Sequence, residues 1–259
     1  MQNNATRKRR AAAAQPAQST IFGQNMTFAA KEAYKLLRTN LLFALPEPQE
    51  GRGYIIGVTS SLRGEGKSTT TINLASTLAE QGARVLLIEA DMRLPSLHKK
   101  LDINPKPGLS NVLLTREDPT SYIQTVGVTT QGENAISFDI LPAGDLPPNP
   151  SELIGSNRMQ HRLDSLSRLY NFILLDLPPV TAVTDALVAT SLVDGTLMVV
   201  RNEYVDSGSL KEAMRQLKLV DAKLLGFVFT YAGGAGDGYR HRYKYRSKYR
   251  YYRDYEKED

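Results

Sequence analysis

The sequence predicts an α/β domain: one mostly parallel sheet flanked by helices. Three observations carry that expectation. Six short runs are apolar throughout instead of alternating, as strands covered on both faces must be. Stretches of helical character separate most of them, as crossover connections between parallel strands require. A glycine-bearing loop joins the first run directly to a helix.

Taken in order, residues 1–25 are polar and alanine-rich, the composition of a disordered segment. "MTFAAKEAYKLLRTNLLFAL" (26–45) reads as an amphipathic helix with Thr27 as its cap. "GYIIGVTS" (53–60) is the first strand, followed by a helix from Ser68 to about Glu80 and a second buried strand, "ARVLLIEA" (83–90). "FDILPAG" (138–144), "NFILLDLPP" (171–179), "GTLMVVRN" (195–202) and "KLLGFVFTYA" (223–232) supply four more. Helices are expected over 151–169, 182–191 and 207–220. The division is a disordered segment 1–25, one domain 26–233 and a flexible tyrosine-rich tail 234–259.

With 259 residues, 41% of them hydrophobic, the chain can bury one such core and still carry tails. No apolar run is long enough to span a bilayer, and the N-terminus lacks the leucine-rich segment of a signal peptide, which points to a cytoplasmic protein. The absence of cysteine excludes disulfides and zinc–thiolate sites. The net charge of +5 is unevenly spread: residues 1–10 hold four basic groups and no acids, and residues 239–259 hold eight basic and four acidic groups. The domain between them is net acidic, so no nucleic-acid platform is expected on its folded surface.

"SSLRGEGKSTT" (60–70) lies between a strand and a helix, the setting in which this pattern becomes a phosphate-binding P-loop. Gly64, Glu65 and Gly66 form the turn whose backbone amides would face phosphate oxygens, and Thr69 follows in the first helical turn. The helix aims its positive end at the same place. Lys67 would neutralise the β- and γ-phosphates, and the Ser68 hydroxyl would enter a magnesium shell. The position where the pattern has its first glycine is Ser61. Two further strand ends carry carboxylates: Glu89 and Asp91, followed by Arg93, and Asp176 before two prolines. Ligands of open α/β sheets bind at the carboxyl ends of strands, so Ser68, Glu89, Asp91 and Asp176 are expected to converge on one edge, a suitable donor set for magnesium. Asp185 and Asp194 read as loop and cap residues, and His98, His161 and His241 show no metal-ligand spacing.

"GEGKSTTTINLAS", "LLIEADMRLPSLH", "FILLDLPPVTAVTDA" and "LPAGDLPPNPSELIGS", together with a terminal tyrosine cluster, resemble the bacterial tyrosine kinases (BY-kinases) of capsule and exopolysaccharide systems across about residues 26–259. The related septum-placement and plasmid-partition ATPases carry a second lysine early in the loop, where this chain has Leu62. The resemblance implies ATP and Mg2+ as cofactors, with Lys67, Glu89, Asp91 and Asp176 as the catalytic set. Arg93 joins the nucleotide site as the last residue of the family's D-x-D-x-R. Where that pattern begins with Asp, this chain has Glu89. The extra methylene either slows the reaction, since misplacement of about 1 Å can cost about 10²-fold, or reaches the same magnesium water. The resemblance also implies a ring-like homo-oligomer joined through the first helix, where the family's E-x-x-R-x-x-R is here Glu32, Lys35, Arg38. It further implies a transmembrane activator or polysaccharide co-polymerase that recruits the protein to the inner face of the membrane, and a tyrosine phosphatase that resets it.

The tail "GYRHRYKYRSKYRYYRDYEKED" holds Tyr239, Tyr243, Tyr245, Tyr249, Tyr251, Tyr252 and Tyr255 among basic residues. Tyrosines interleaved with arginine and lysine suit three tasks: stacking on single-stranded nucleic acid, lying on an anionic membrane, or accepting phosphate. Attachment to a nucleotide-binding domain selects the third, and the resemblance implies autophosphorylation between neighbouring subunits, regulating polysaccharide assembly. Each phosphate adds about −1.5 to −2 charges, so full modification inverts the tail's sign. Two other readings stay open at this point: a nucleotide switch without tyrosine phosphorylation, for which Glu89 is the motive, and a nucleic-acid-binding protein acting through its tail.

Overall fold

The computed structural model describes residues 26–115, 117–128 and 136–231. The segments 1–25 and 234–259, with all seven tail tyrosines and His241, lie outside the described residues. In chain order the elements are α1 (Phe28–Ala44), β1 (Tyr54–Ser60), α2 (Lys67–Ala79), β2 (Val85–Glu89), α3 (Leu97–Leu101), α4 (Leu109–Leu114), β3 (Gln124–Val128), β4 (Ile136–Leu141), α5 (Pro150–Ile154), α6 (Asn157–Ser167), β5 (Phe172–Asp176), α7 (Asp185–Ala189), β6 (Gly195–Arg201), α8 (Ser207–Leu219) and β7 (Leu224–Thr230).

The strands form one sheet in the order β3-β4-β2-β5-β1-β6-β7, parallel except for β3, which runs antiparallel to β4. Successive residues of a strand face opposite sides. Ile56, Val58, Leu87, Leu174 and Val199 therefore pack under α2 and under Leu41 of α1. Ile55, Ile88, Ile173, Leu175 and Met198 pack on the other face beneath α6, α7 and α8. Both faces are covered, which is why the central strands read as unbroken apolar runs.

Three parts of the sequence reading change. β3 was not expected: Gln124, Thr125 and Gly127 break its apolar character, as an edge strand tolerates, and the Thr125 hydroxyl donates to Asp139 Oδ1 across the pair at 2.7 Å. The expected helix over 151–169 is two helices, because Gly155 ends α5 and Ser156 restarts the chain by accepting from Met159 N–H at 3.2 Å. The short α3 and α4 occupy the stretch between β2 and β4, where the sequence predicts no element. Thr27 does cap α1, its hydroxyl accepting from Ala30 N–H at 3.3 Å.

Candidate active site

β1 ends at Ser60 and the chain turns through 61–66 into α2. Gly64 and Gly66 sit at φ +87° and +93°, the left-handed region that a side chain resists, and a Cβ on Gly66 would stand 3.3 Å from Thr230 Cγ2. The turn is gripped from two sides. On one, Val180 N–H donates to Ser60 O at 2.9 Å and the Thr181 hydroxyl to Ser61 O at 2.6 Å. On the other, the Thr230 hydroxyl donates to Glu65 O at 2.7 Å, Arg201 Nη1 to Gly64 O at 3.2 Å and the Tyr204 hydroxyl to Arg63 O at 3.1 Å. The Arg201 guanidinium lies over the rings of Tyr204 and Tyr231, at 4.8 and 4.2 Å from their centroids.

Glu65 is fully buried, and its carboxylate accepts from the backbone N–H groups of Leu62 and Arg201. Burial pushes its pKa up, and those amides hold it partly back. The Glu65 side chain braces the loop against the end of β6.

Lys67 opens α2 and extends between two strand ends: Nζ is 3.5 Å from Asp91 Oδ2 and 3.5 Å from Asp176 Oδ1. Asp176 closes β5, where its carbonyl accepts from Ala90 and Asp91 N–H, both at 3.0 Å, so main-chain bonds fix the spacing of the two carboxylates. Burial pushes the Asp91 carboxyl above its ordinary range; the Lys67 ammonium opposes this and the Asp176 charge adds to it. The Ser68 hydroxyl accepts from that of Ser96 at 3.1 Å, and Lys100 Nζ donates to Thr69 Oγ1 at 3.2 Å.

Glu89 departs from expectation. It is fully buried, and its Oε1 accepts from Ser96 N–H and from Leu97 N–H, the latter at 2.6 Å, at the start of α3. Its Oε2 accepts from Ala143 N–H at 3.4 Å and lies 4.0 Å from His98 Nδ1. Glu89 stands beside Asp176 in the pairing of β2 with β5, on the expected sheet edge, but its carboxylate oxygens accept from backbone amides. Among the described residues no group of three or more His, Asp or Glu side chains is placed to hold a metal ion.

The chain matches the AAA domain family over residues 53–225. It is 35% identical over 199 residues to the tyrosine-protein kinase YwqD of Bacillus subtilis, covering 77% of this chain and 80% of that one. Its fold superposes on the kinase domain of the Escherichia coli tyrosine kinase ETK with a TM-score of 0.70 and 28% identity, covering 82% and 80% of the two chains. The chain belongs to the bacterial tyrosine-protein kinases. The kinase is 36% identical over 197 residues to the tyrosine-protein kinase wzc of Salmonella typhi, matching 76% of its own length but only 26% of that longer relative.

In the kinase Lys67 Nζ lies 3.5 Å from a carboxylate oxygen of both Asp91 and Asp176, and Ser68 follows it in the first turn of α2. Arg93, expected at the nucleotide, is directed elsewhere: Nε donates to Asp185 Oδ2 at 2.9 Å and Nη2 to Asp185 Oδ1 at 3.1 Å. Asp185 is fully buried, and the Ser151 hydroxyl donates to it as well. The family-like stretch 141–156 thus supplies Ser151 to a network joining the turn after β2, α5 and α7. The sequence predicts Asp185 as a loop or cap residue; its pairing with the exposed Arg93 is not legible there, because it spans 92 residues of chain. Ser96 was also missed, although a serine directly preceding a helix is a recognisable signal.

On α1, Glu32 and Lys35 pair with each other at 3.1 Å, while Arg38 Nη1 donates to Thr77 O at 2.6 Å and to Glu80 Oε2 at 3.3 Å. Of the three residues expected at a subunit interface, Arg38 is engaged within its own chain.

Proposed function

We propose that this kinase transfers the γ-phosphoryl group of ATP to tyrosines of its own C-terminal tail, between neighbouring subunits, and so regulates capsular or exopolysaccharide polymerisation and export. The observation that carries this reading is Lys67, held 3.5 Å from both Asp91 and Asp176 at the mouth of a P-loop, on a chain of the tyrosine-kinase family that ends in seven tyrosines. The γ-phosphoryl group would lie against Lys67 and the first turn of α2. The attacking tyrosine hydroxyl, with an ordinary pKa near 10, needs a proton acceptor. Asp91 suits that task, since burial has raised its proton affinity. The proton would pass from the phenol to Asp91 as the tyrosine Oη bonds to phosphorus and ADP departs.

The donors present fit magnesium: two carboxylates and the Ser68 hydroxyl beside a phosphate-binding turn, leaving positions for water and phosphate oxygens. Bound there, magnesium would offset the negative charge of the phosphates. The nucleotide base is taken as adenine because the family acts with ATP. A transmembrane activator at the inner face of the membrane, a ring involving Glu32, Lys35 and Arg38, and a resetting phosphatase accompany this reading on the same resemblance. Among the described residues no helix is long and apolar enough to cross a membrane.

Intact-mass measurement after incubation with magnesium and ATP tests the proposal. The parent protein should gain several phosphates and Lys67→Met none. ATP hydrolysis with no mass gained would overturn it in favour of a nucleotide switch.

A further inference from the structure

Glu89 stands where the family's pattern begins with Asp, beside Asp176, and the hydrogen bonds of its carboxylate all come from backbone amides. Ser96 N–H and Leu97 N–H both donate to Oε1, while Ala143 N–H donates to Oε2. These bonds fix the first turn of α3, and α3 in turn leans on the first turn of α2. Ser96 Oγ donates to Ser68 Oγ at 3.1 Å, and Lys100 Nζ donates to Thr69 Oγ1 at 3.2 Å. Ser68 and Thr69 directly follow Lys67, so the chain of contacts ends at the phosphate-facing end of α2.

We propose that Glu89 is a positioning residue that acts through Ser96 to orient the Ser68 hydroxyl, and that neither metal ligation nor proton transfer requires its charge. The length of the side chain is then the property that matters. Aspartate is shorter by one methylene, about 1.5 Å, and would leave Leu97 N–H about 4 Å from the nearest carboxylate oxygen, beyond hydrogen-bonding range. Glutamine keeps the length. Its oxygen can take the place of Oε1 and receive both amides. Its NH2 group then faces His98 Nδ1, a buried nitrogen with no hydrogen-bond partner of its own, and gives up only the long 3.4 Å bond from Ala143 N–H. The Ser96→Ala change removes the hydroxyl link to Ser68 and leaves the backbone bonds to Glu89 in place.

This inference rests on the kinase reading for its place in the reaction, so its test measures two quantities separately. One is phosphate uptake by intact mass; the other is magnesium-dependent affinity for a fluorescent ATP analogue. Glu89→Gln should stay within about 3-fold of the parent in both. Glu89→Asp should lose about 10-fold or more in magnesium-dependent affinity, with the magnesium-free affinity changed little. Ser96→Ala should lose a similar amount, and the Glu89→Asp, Ser96→Ala double variant should lose no more than the worse single one, since both cut the same link. Melting temperatures exclude misfolding as the cause, and Glu89→Gln keeps the test open if Glu89→Asp does not fold. A Glu89→Gln protein as inactive as Lys67→Met, or a Glu89→Asp protein as active as the parent, would overturn the positioning role. If the parent takes up no phosphate at all, the kinase reading fails, while the order of analogue affinities still decides the role of Glu89.

Discussion

Lys67 is an ammonium between two carboxylates in a site almost closed to water, and its loss has a consequence for stability as well as chemistry. Asp91 already has a folded-state pKa above its ordinary 3.8, with burial the largest cause and Lys67 opposing it. In Lys67→Met that opposition is gone, so the folded pKa rises further above the unfolded one. The fold then binds the proton more tightly than the unfolded chain does, and the added instability is full above the folded pKa and relieved as pH falls through it. The melting-temperature gap between the nucleotide-free variant and the parent should narrow from about pH 7 to about pH 4. A gap independent of pH would mean that the Asp91 carboxyl does not feel Lys67. Phosphate transfer should fall by at least about 10²-fold, as for the loss of one charge-stabilising donor. Lys67, Asp91 and Asp176 were legible from sequence because strand ends and the P-loop place them by local rules. Glu89 was not: a pattern identifies the position, but only the path of α3 shows which amides its longer arm meets.

The elements around the P-loop make its shape a property of four separate segments. Gly66 is held at φ +93° with Thr230 of β7 against it, so Gly66→Ala forces a left-handed alanine into a contact of 3.3 Å. A cost of about 1–2 kcal/mol in stability is expected, with a larger proportional loss of nucleotide affinity. Urea denaturation and analogue titration measure the two, and unchanged affinity would show that the turn tolerates reshaping. On α1, Arg38 bonds the C-terminal end of α2 through Thr77 O and Glu80, and its side chain is mostly buried. Arg38→Ala should therefore destabilise the isolated subunit by about 1–3 kcal/mol. A loss of oligomer in that variant counts as an interface effect only if the melting temperature is preserved. The helices and buried strands could be read from periodicity and apolar runs, since their positions follow from which faces are covered. β3 could not, because an edge strand needs only one neighbour and its polar residues hide it. The clamp of Arg201, Tyr204 and Thr230 was hidden for a different reason: its contacts to the P-loop cross between 137 and 165 residues of chain.

Considered whole, the molecule joins one P-loop domain to a run of tyrosines proposed as acceptors, and the two proposed functions should separate by mutation. Changing all seven tail tyrosines to Phe keeps the rings and the basic charges but removes the hydroxyls. That variant should bind ATP and take up almost no phosphate, yet it should phosphorylate the intact tail of an added Lys67→Met protein. Phosphate found mainly on domain tyrosines such as Tyr34 or Tyr54, by peptide mapping, would sink the tail as acceptor. Tyr170 is poorly suited to compete, since its hydroxyl donates to Asp139 Oδ2 at 2.8 Å and burial raises its pKa well above the usual phenol range. The sheet adds a constraint of another kind. Its last strand, β7, ends with Thr230 bonded to the P-loop, so the tail is rooted beside its own active site. Covalent geometry limits Tyr239 to about 29 Å from Tyr231 and Tyr255 to about 86 Å. The seven tyrosines are thus graduations on a ruler whose zero is nailed to the P-loop, and the nearest one found phosphorylated in trans would set an upper limit on the distance between neighbouring sites.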